Sequence, residues 1–193
     1  MNTVEAIRIL TELDGYDRSV FSIGELREIF QEKSPRTFED GLRRLVDRGV
    51  LERAARGIYV FAWSQRPRVY LLEEIAVCKR HGKVSYVSLE SALCEFGAIS
   101  QIMVDRITVM TTGRSAEIAT PWGVIEFTHT ARPAPDIREN TLHMEGRPLR
   151  IARLEAALRD LRRVGRNLHM VDMDEYEDIL DEQQQAERSG AEA

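Results

Sequence analysis

Six arginines and no lysine lie within residues 34–61 of a chain whose formal net charge is −5. Guanidinium groups bind phosphate and the edge of guanine through paired hydrogen bonds, so this cluster indicates contact with nucleic acid. Arg36, Arg43 and Arg44 lie in one segment of helical periodicity, and Arg53 and Arg56 follow in a segment that is typical of a hairpin. The chemistry that the sequence suggests first is therefore recognition of DNA.

The acidic charge of the chain is concentrated at its C-terminal end. Residues 173–193 carry eight acids against one arginine, whereas residues 33–68 and 147–166 each carry a net charge of +5. The chain therefore has two basic segments and one acidic tail. Because the tail has few apolar anchors, we expect it to form one short helix and then to be disordered from about Gln184.

Three helices in the first third of the sequence would position the first group of arginines. The apolar stripe of the first helix comprises Val4, Ile7, Leu10 and Leu13. Ser22 is a suitable N-cap for the second helix, and the third begins at Ser34 and ends at Gly49. The third helix buries one face and leaves its arginines on the other. The residues of that buried face are Phe38, Leu42, Leu45 and Val46.

Residues 50–61 read as two short strands around a turn at Ala54–Gly57. Three helices followed by such a hairpin are the order of a winged helix-turn-helix domain, whose third helix can enter the major groove. The hairpin tip would contact phosphates or the minor groove. The residues expected to contact DNA from the third helix and the hairpin are Arg36, Thr37, Arg43, Arg44, Arg53 and Arg56.

The arginine-rich face has a second interpretation, in which the winged domain binds proteins only and these side chains are solvated. Asp40 and Asp47 lie on the same face and are compatible with that view. The sequence alone leaves both interpretations open.

The rest of the chain mixes helices and strands without a strand–helix–strand rhythm, so we expect an α+β fold. The polar, proline-containing segment Gln65–Arg68 indicates a domain boundary. Ser88 precedes a helix and suits an N-cap better than a nucleophile. The predicted organisation is a winged helix-turn-helix domain at 1–66, an α+β domain at 67–172, and the acidic tail at 173–193.

Four segments carry a resemblance to a known family. They occur in the order "RGIYVF", "YVSLESALCEFG", "ITVMTTGRS" and "IARLEAALRDL". In this order the chain resembles the AbiEi-type antitoxins of type IV toxin–antitoxin systems over roughly residues 5–170. The resemblance implies that the winged domain binds the promoter of its own operon and represses it. It also implies that the second domain counteracts a nucleotidyltransferase toxin, with or without direct contact.

The resemblance further implies a basic surface on the second domain. In the late helix "RLEAALRDLRRVG" the leucines face inward and the arginines lie opposite them. An ordinary solvated helix face is the alternative interpretation. The residues that match the implied antitoxin surface are Arg159, Arg162, Arg163 and Arg166.

The sequence contains no GxSxG, HExxH, P-loop or glycine-rich dinucleotide motif, so we expect no enzymatic activity and no cofactor. Cys78 and His81 would supply only half of a metal site, and we expect no bound metal. One alternative is a nuclease or nucleotidyltransferase with Asp172 and Asp174 as a metal-binding pair. A ligand-responsive winged repressor is the other.

No apolar run approaches the roughly 18 residues that span a bilayer, and the first residues are amphipathic rather than signal-like. The two cysteines form no CxxC pair, as expected for reduced thiols. These features predict a cytoplasmic protein without a membrane partner.

Overall fold

A computed structural model describes residues 2–100 and 105–191, with side chains described as far as residue 185. The chain forms two compact units, one up to His81 and one from Gly82 onward. Each unit is an α+β arrangement with its own sheet, which confirms the predicted fold class. In the described part of the chain, no helix is long and apolar enough to cross a membrane.

The first unit contains four helices and a small antiparallel sheet. Its elements are α1 (Thr3–Asp14), β1 (Val20–Ser22), α2 (Ile23–Phe30), α3 (Pro35–Asp47), β2 (Leu51–Ala55), β3 (Ile58–Phe61) and α4 (Leu71–Lys79). The strand order is β1-β3-β2, and β3 pairs antiparallel with both neighbours. The elements from α1 to β3 have the layout of a winged helix-turn-helix domain, in which β2 and β3 form the wing.

Local interactions explain where α2 and α3 begin. Ser22 forms a capping box with Glu25: its Oγ accepts from the Glu25 backbone N–H at 3.2 Å, and its own N–H donates to the Glu25 carboxylate at 2.7 Å. Ser34 Oγ accepts from the backbone N–H of Thr37 at 3.3 Å, and Pro35 occupies the first turn of α3. Both predicted N-caps are therefore confirmed.

One apolar core joins the three helices of the winged domain to its sheet. Most of the predicted stripe positions pack into it, but Val4 is 74% exposed and does not belong to the buried stripe of α1. Val4 lies in the first turn of α1, and the buried residues of this helix are Ala6 and Leu10. The largest fully buried side chains of this core are Leu10, Phe21, Leu26, Phe38, Leu45, Leu51 and Phe61.

The structure draws the boundary between the two units after α4, whereas the sequence predicted it at Gln65–Arg68. The reason is that α4 packs on β1 and β3 of the winged domain. Ser19 Oγ donates to the Glu74 carboxylate of α4 at 3.2 Å, and the Cys78 thiol of α4 lies 3.6 Å from the Glu25 carboxylate of α2. The helix that follows the predicted linker therefore completes the first unit.

The second unit is built on a mixed six-stranded sheet. Its elements are β4 (Ser85–Val87), α5 (Leu89–Phe96), β5 (Arg106–Thr111), β6 (Ala116–Thr120), β7 (Gly123–His129), α6 (Ala134–Glu139), β8 (Thr141–Leu142), β9 (Arg150–Ala152), α7 (Leu154–Val164) and α8 (Met173–Ala191). The strand order is β6-β7-β5-β4-β9-β8, with parallel pairs β5–β7 and β4–β9. Helices α5 and α7 pack against each other.

The acidic tail departs from its prediction. We expected a short helix followed by disorder from about Gln184, but α8 is one continuous helix of 19 residues from Met173 to Ala191. Asp172 Oδ1 accepts hydrogen bonds from the N–H groups of Asp174 and Glu175, both at 3.2 Å, and so caps the helix start. Tyr176 is buried and anchors the first turns. The helix at the start of the tail is thus as predicted, with an N-cap and one aromatic anchor, whereas its continuation beyond Gln184 was not predicted.

Candidate nucleic-acid interface

Helix α3 presents the first group of predicted contact residues to solvent. Phe38, Leu42 and Leu45 are buried on one side of the helix, which turns the opposite side outward. The exposed residues on that side include Arg36, Thr37, Arg43, Arg44, Asp40 and Asp47. The structure therefore gathers the predicted basic residues on one face together with two carboxylates, as the sequence indicated.

The wing presents the second group. Arg53 lies on β2, and Arg56 lies in the tight turn before β3, where Gly57 adopts a φ of +76°. Both arginines are exposed. The turn is fastened to α2, because the backbone N–H of Ile23 donates to the Gly57 carbonyl at 2.8 Å. The hairpin is short, and its tip therefore lies close to the start of α2.

Four of these arginines have no acidic partner in the described part of the chain. Among the residues that the structure describes, no carboxylate forms an ion pair with Arg36, Arg43, Arg53 or Arg56. Elsewhere in the same unit arginines are paired: Arg8 with Glu5 at 2.7 Å, and Arg18 with Glu25 at 3.1 Å. On α3 and the wing, the guanidinium groups of Arg36, Arg43, Arg53 and Arg56 therefore have the chemistry to bind phosphates.

A basic side chain outside the predicted interface also contacts the wing. Lys79, in the last turn of α4, donates from Nζ to the backbone carbonyl of Arg56 at 3.0 Å. Sequence reasoning assigned Lys79 to the second domain, since it placed the boundary before α4. The sequence does contain a feature that could have indicated Lys79, the run of basic residues "CKRHGK" at the end of this helix.

In the second unit, three of the four arginines that were predicted to form an antitoxin surface lie on α7. Arg159, Arg162 and Arg163 are exposed on α7, and Arg159 donates to Asn140 Oδ1 at 3.0 Å. Arg159 and Arg163 lie on the side of α7 opposite its buried leucines, and Arg162 lies at the exposed edge of the helix.

Arg166 lies apart from the other three arginines, beyond the end of α7. Helix α7 ends at Val164, and Gly165 adopts a left-handed conformation with a φ of +75°, so the helical periodicity does not extend to residue 166. The Arg166 guanidinium instead binds the carboxylate of Glu90 on α5 and that of Glu126 on β7. Arg166 is a structural ion-pair residue.

The segment "YVSLESAL" surrounds a buried polar network. Tyr86 and Ser88 donate from their hydroxyl groups to Asp160 Oδ2 of α7 at 3.0 and 2.9 Å, and Arg132 lies 2.7 Å from Asp160 Oδ1. Burial and the Asp160 carboxylate raise the pKa of the Tyr86 hydroxyl, so it stays a hydrogen-bond donor. Ser88 precedes α5 but its side chain does not cap that helix. Tyr86, Ser88 and Asp160 are buried in the interior of the unit.

The candidate metal ligands are not brought together. Asp172 acts as the N-cap of α8, with Asp174 in the first turn of the same helix. Burial and the neighbouring Glu25 carboxylate raise the pKa of the Cys78 thiol to about 12, which disfavours the thiolate that would bind a metal. Among the side chains described within residues 2–100 and 105–185, no three histidine, cysteine, aspartate or glutamate residues are grouped as metal ligands.

Comparison with known proteins supports the sequence resemblance for the first unit. Residues 10–62 match a family model described as "Transcriptional regulator, AbiEi antitoxin". The matched range runs from α1 to just after β3 and thus contains α3 and the wing. The resemblance to AbiEi-type antitoxins is confirmed over this range. No curated protein matches the chain.

Proposed function

We propose that this chain, whose winged domain matches a family of transcriptional regulators and antitoxins, is a DNA-binding antitoxin that represses its own operon. The winged domain would bind the operon promoter, and the second unit would counteract a nucleotidyltransferase toxin. The observation that carries the proposal is a set of exposed arginines on α3 and the wing, within the matched residues, that form no ion pair with any described residue. They are Arg36, Arg43, Arg53 and Arg56.

The geometry of α3 suits the major groove. A rise of about 1.5 Å per residue places Arg36 and Arg43, seven positions apart on one face, about 10 Å from each other along the helix axis. That separation is close to the roughly 12 Å width of the groove, so one arginine can bind a guanine edge while the other meets a backbone phosphate. The positive end of the helix dipole, near Thr37, also favours a phosphate.

The two carboxylates on the same face would contribute selectivity rather than affinity. Asp40 lies between Arg36 and Arg43 on the exposed side of α3. A carboxylate repels phosphate but accepts a hydrogen bond from the amino group of cytosine. We therefore expect Asp40 to weaken binding to unrelated DNA sequences but not binding to the operator. A repulsive group of this kind lets the protein discriminate against wrong partners.

The wing would add contacts beside the groove. Arg53 and Arg56 are exposed at and near its tip and carry no ion-pair partner among the described residues. A phosphate contact of this kind fixes the register of α3 but carries no sequence information. Loss of a wing arginine should therefore weaken binding to all duplexes alike.

The second unit would perform the antitoxin role through Arg159, Arg162 and Arg163. These three side chains lie in the second unit, whereas the DNA contacts lie in the first. The two activities should therefore fail separately when each arginine group is altered. Arg166 is excluded from the surface, because its guanidinium holds two carboxylates of the second unit.

Gel-shift titration of the promoter fragment at fixed salt tests the DNA-binding part of the proposal. A variant with Arg36, Arg43 and Arg44 as alanine should lose affinity, by about 1–3 kcal/mol for each arginine that pairs bidentately with guanine. The matched control changes Arg159, Arg162 and Arg163 to alanine and should bind as the wild type does. Unchanged affinity in a folded triple variant of α3 would contradict promoter recognition by this helix.

A paired cellular assay tests the division of labour. Reporter repression and growth during toxin expression are measured for both triple variants at matched protein levels. Here the second-unit variant carries glutamate at positions 159, 162 and 163. It should repress but not protect, and the α3 variant should protect but not repress. Loss of both activities in both variants, or full protection by the glutamate variant, would refute the assignment of the two surfaces.

A further inference from the structure

We infer that the C-terminal end of α4 is part of the DNA-contacting surface, with Lys79 binding a backbone phosphate beside the wing. This inference rests on the proposed DNA binding of the first unit. It adds a contact that neither the winged motif nor the matched range 10–62 contains.

The position of Lys79 follows from the packing of α4. The helix lies against β1 and β3, and Cys78 contacts the capping residue Glu25 of α2 at 3.6 Å. The last turn of α4 thereby reaches the wing turn, where Lys79 Nζ donates to the Arg56 carbonyl at 3.0 Å. The half-buried Lys79 and the exposed Arg56 therefore meet at the same turn, so a phosphate bound at this turn could contact both.

The ammonium group of Lys79 retains donors for such a phosphate. It carries three protons, and the Arg56 carbonyl accepts one of them. Among the residues that the structure describes, no carboxylate forms an ion pair with Lys79. The nearby acid, Glu25, is already engaged by Arg18 at 3.1 Å and by the Ser22 backbone at 2.7 Å. Arg53, Arg56 and Lys79 thus form a cationic group around the wing turn.

A purely structural role makes a different prediction. A cation in the last turn of a helix stabilises the helix through its dipole, and the bond to Arg56 could simply hold the wing turn in place. In that case removal of the Lys79 charge would alter the wing without affecting any phosphate. The salt dependence of binding separates the two roles, because a protein that binds one phosphate fewer has a slope of log affinity against log salt that is smaller by about 0.9.

The test uses the full chain, the promoter duplex and an unrelated duplex of equal length, titrated between about 50 and 200 mM salt. Lys79→Gln keeps a donor and removes the charge, whereas Lys79→Arg keeps the charge. We expect Lys79→Gln to reduce the salt slope by about 0.9 on both duplexes, a change of about 3.5-fold in relative affinity over this range. Lys79→Arg should keep the wild-type slope.

Arg8→Gln is the matched control, because it also removes one positive charge but from an exposed residue that is paired with Glu5. It should leave the slope unchanged. If both Lys79 variants bind DNA equally weakly and keep the wild-type salt slope, Lys79 has only a structural role in the wing and the inference is overturned. A wild-type slope in Lys79→Gln, while the α3 triple variant loses affinity, would overturn it and leave the proposed function intact. If the α3 variant also binds as the wild type does, the proposed function fails with it.

Discussion

The guanidinium of Arg166 holds the buried carboxylate of Glu90, with arginine Nε 3.0 Å from glutamate Oε1. Glu90 is 1% exposed, and Asn167 Nδ2 donates to the same carboxylate at 2.8 Å. Arg166 also binds Glu126 on β7. These bonds fasten the segment that follows α7 to the first turn of α5 and to the sheet of the second unit.

Replacing Arg166 by alanine should therefore destabilise the second unit. The change leaves the Glu90 carboxylate buried without its cation. We therefore expect the free energy of unfolding to fall by about 3 kcal/mol. This value is at the low end for a broken buried ion pair, because Arg166 is itself partly exposed. Urea unfolding monitored by hydrogen exchange in α5 measures the effect. The control Arg163→Ala, on the exposed face of α7, should change stability by less than about 0.5 kcal/mol. Equal stability of the two variants would contradict the structural role of Arg166.

The Asp160 network should be strongly non-additive. Asp160→Ala removes the closer of the two carboxylates of Arg132, since Asp136 lies at 4.0 Å, and should cost about 3 kcal/mol in free energy of unfolding. Ser88→Ala should cost about 1–2 kcal/mol in the wild type. In the Asp160→Ala background, Ser88→Ala should cost much less, because the acceptor of its hydroxyl has gone. A double-mutant cycle by thermal unfolding measures this coupling. Additive costs would mean that Ser88 and Asp160 do not interact.

Gly123 at the start of β7 should not tolerate a side chain. Its φ is +138°, and a Cβ there would lie 2.6 Å from the Asp105 carbonyl oxygen, which accepts the Val124 N–H at 2.7 Å. Gly123→Ala should destabilise the second unit by about 3 kcal/mol or more, from backbone strain and the clash together. Gly146→Ala is the control. Its φ is +73°, and a Cβ at this position would meet no atom of the described residues beyond its chain neighbours within 4 Å. Only about 1 kcal/mol of backbone strain is therefore expected. Similar melting temperatures for both variants would contradict the close approach of residue 123 to the Asp105 carbonyl.

The stability of the first unit should fall in acid partly through Glu25. Burial acts to raise the pKa of this carboxyl, but hydrogen bonds with Ser22 and Cys78 and the charge of Arg18 outweigh it and hold the pKa below its ordinary value of 4.5. A depressed carboxyl pKa contributes stability that is complete above that ordinary value and is lost as the pH falls through the folded-state pKa.

Glu25→Gln should accordingly lower stability at pH 7 by about 1 kcal/mol, through the weakened capping box, and reduce the loss of stability between about pH 5 and pH 3. Urea unfolding of the full chain across this range, followed through a probe in α2, measures both effects. Glu28→Gln, an exposed position on the same helix, serves as the control. A pH dependence in Glu25→Gln identical to that of the wild type would contradict the linkage.

The sequence by itself determined the winged domain and the residues that it exposes. The caps at Ser22 and Ser34 and the buried face of α3 follow from interactions within a few residues of chain, which periodicity and capping preferences report directly. The exposed side of α3, with Arg36 and Arg43, is then fixed by the burial of the other side. The match over residues 10–62 lies within this locally predictable part.

Only the tertiary structure decided which unit α4 completes and which arginines remain available. The Lys79–Arg56 contact joins residues 23 positions apart, the Ser88–Asp160 bond spans 72 positions, and the Arg166–Glu90 pair spans 76. Pairings at such separations depend on how helices and strands pack, and helical periodicity carries no information about them. A buried carboxylate needs a cation wherever the fold can supply one, so Arg166 serves the interior of the second unit although its charge alone suggested a surface.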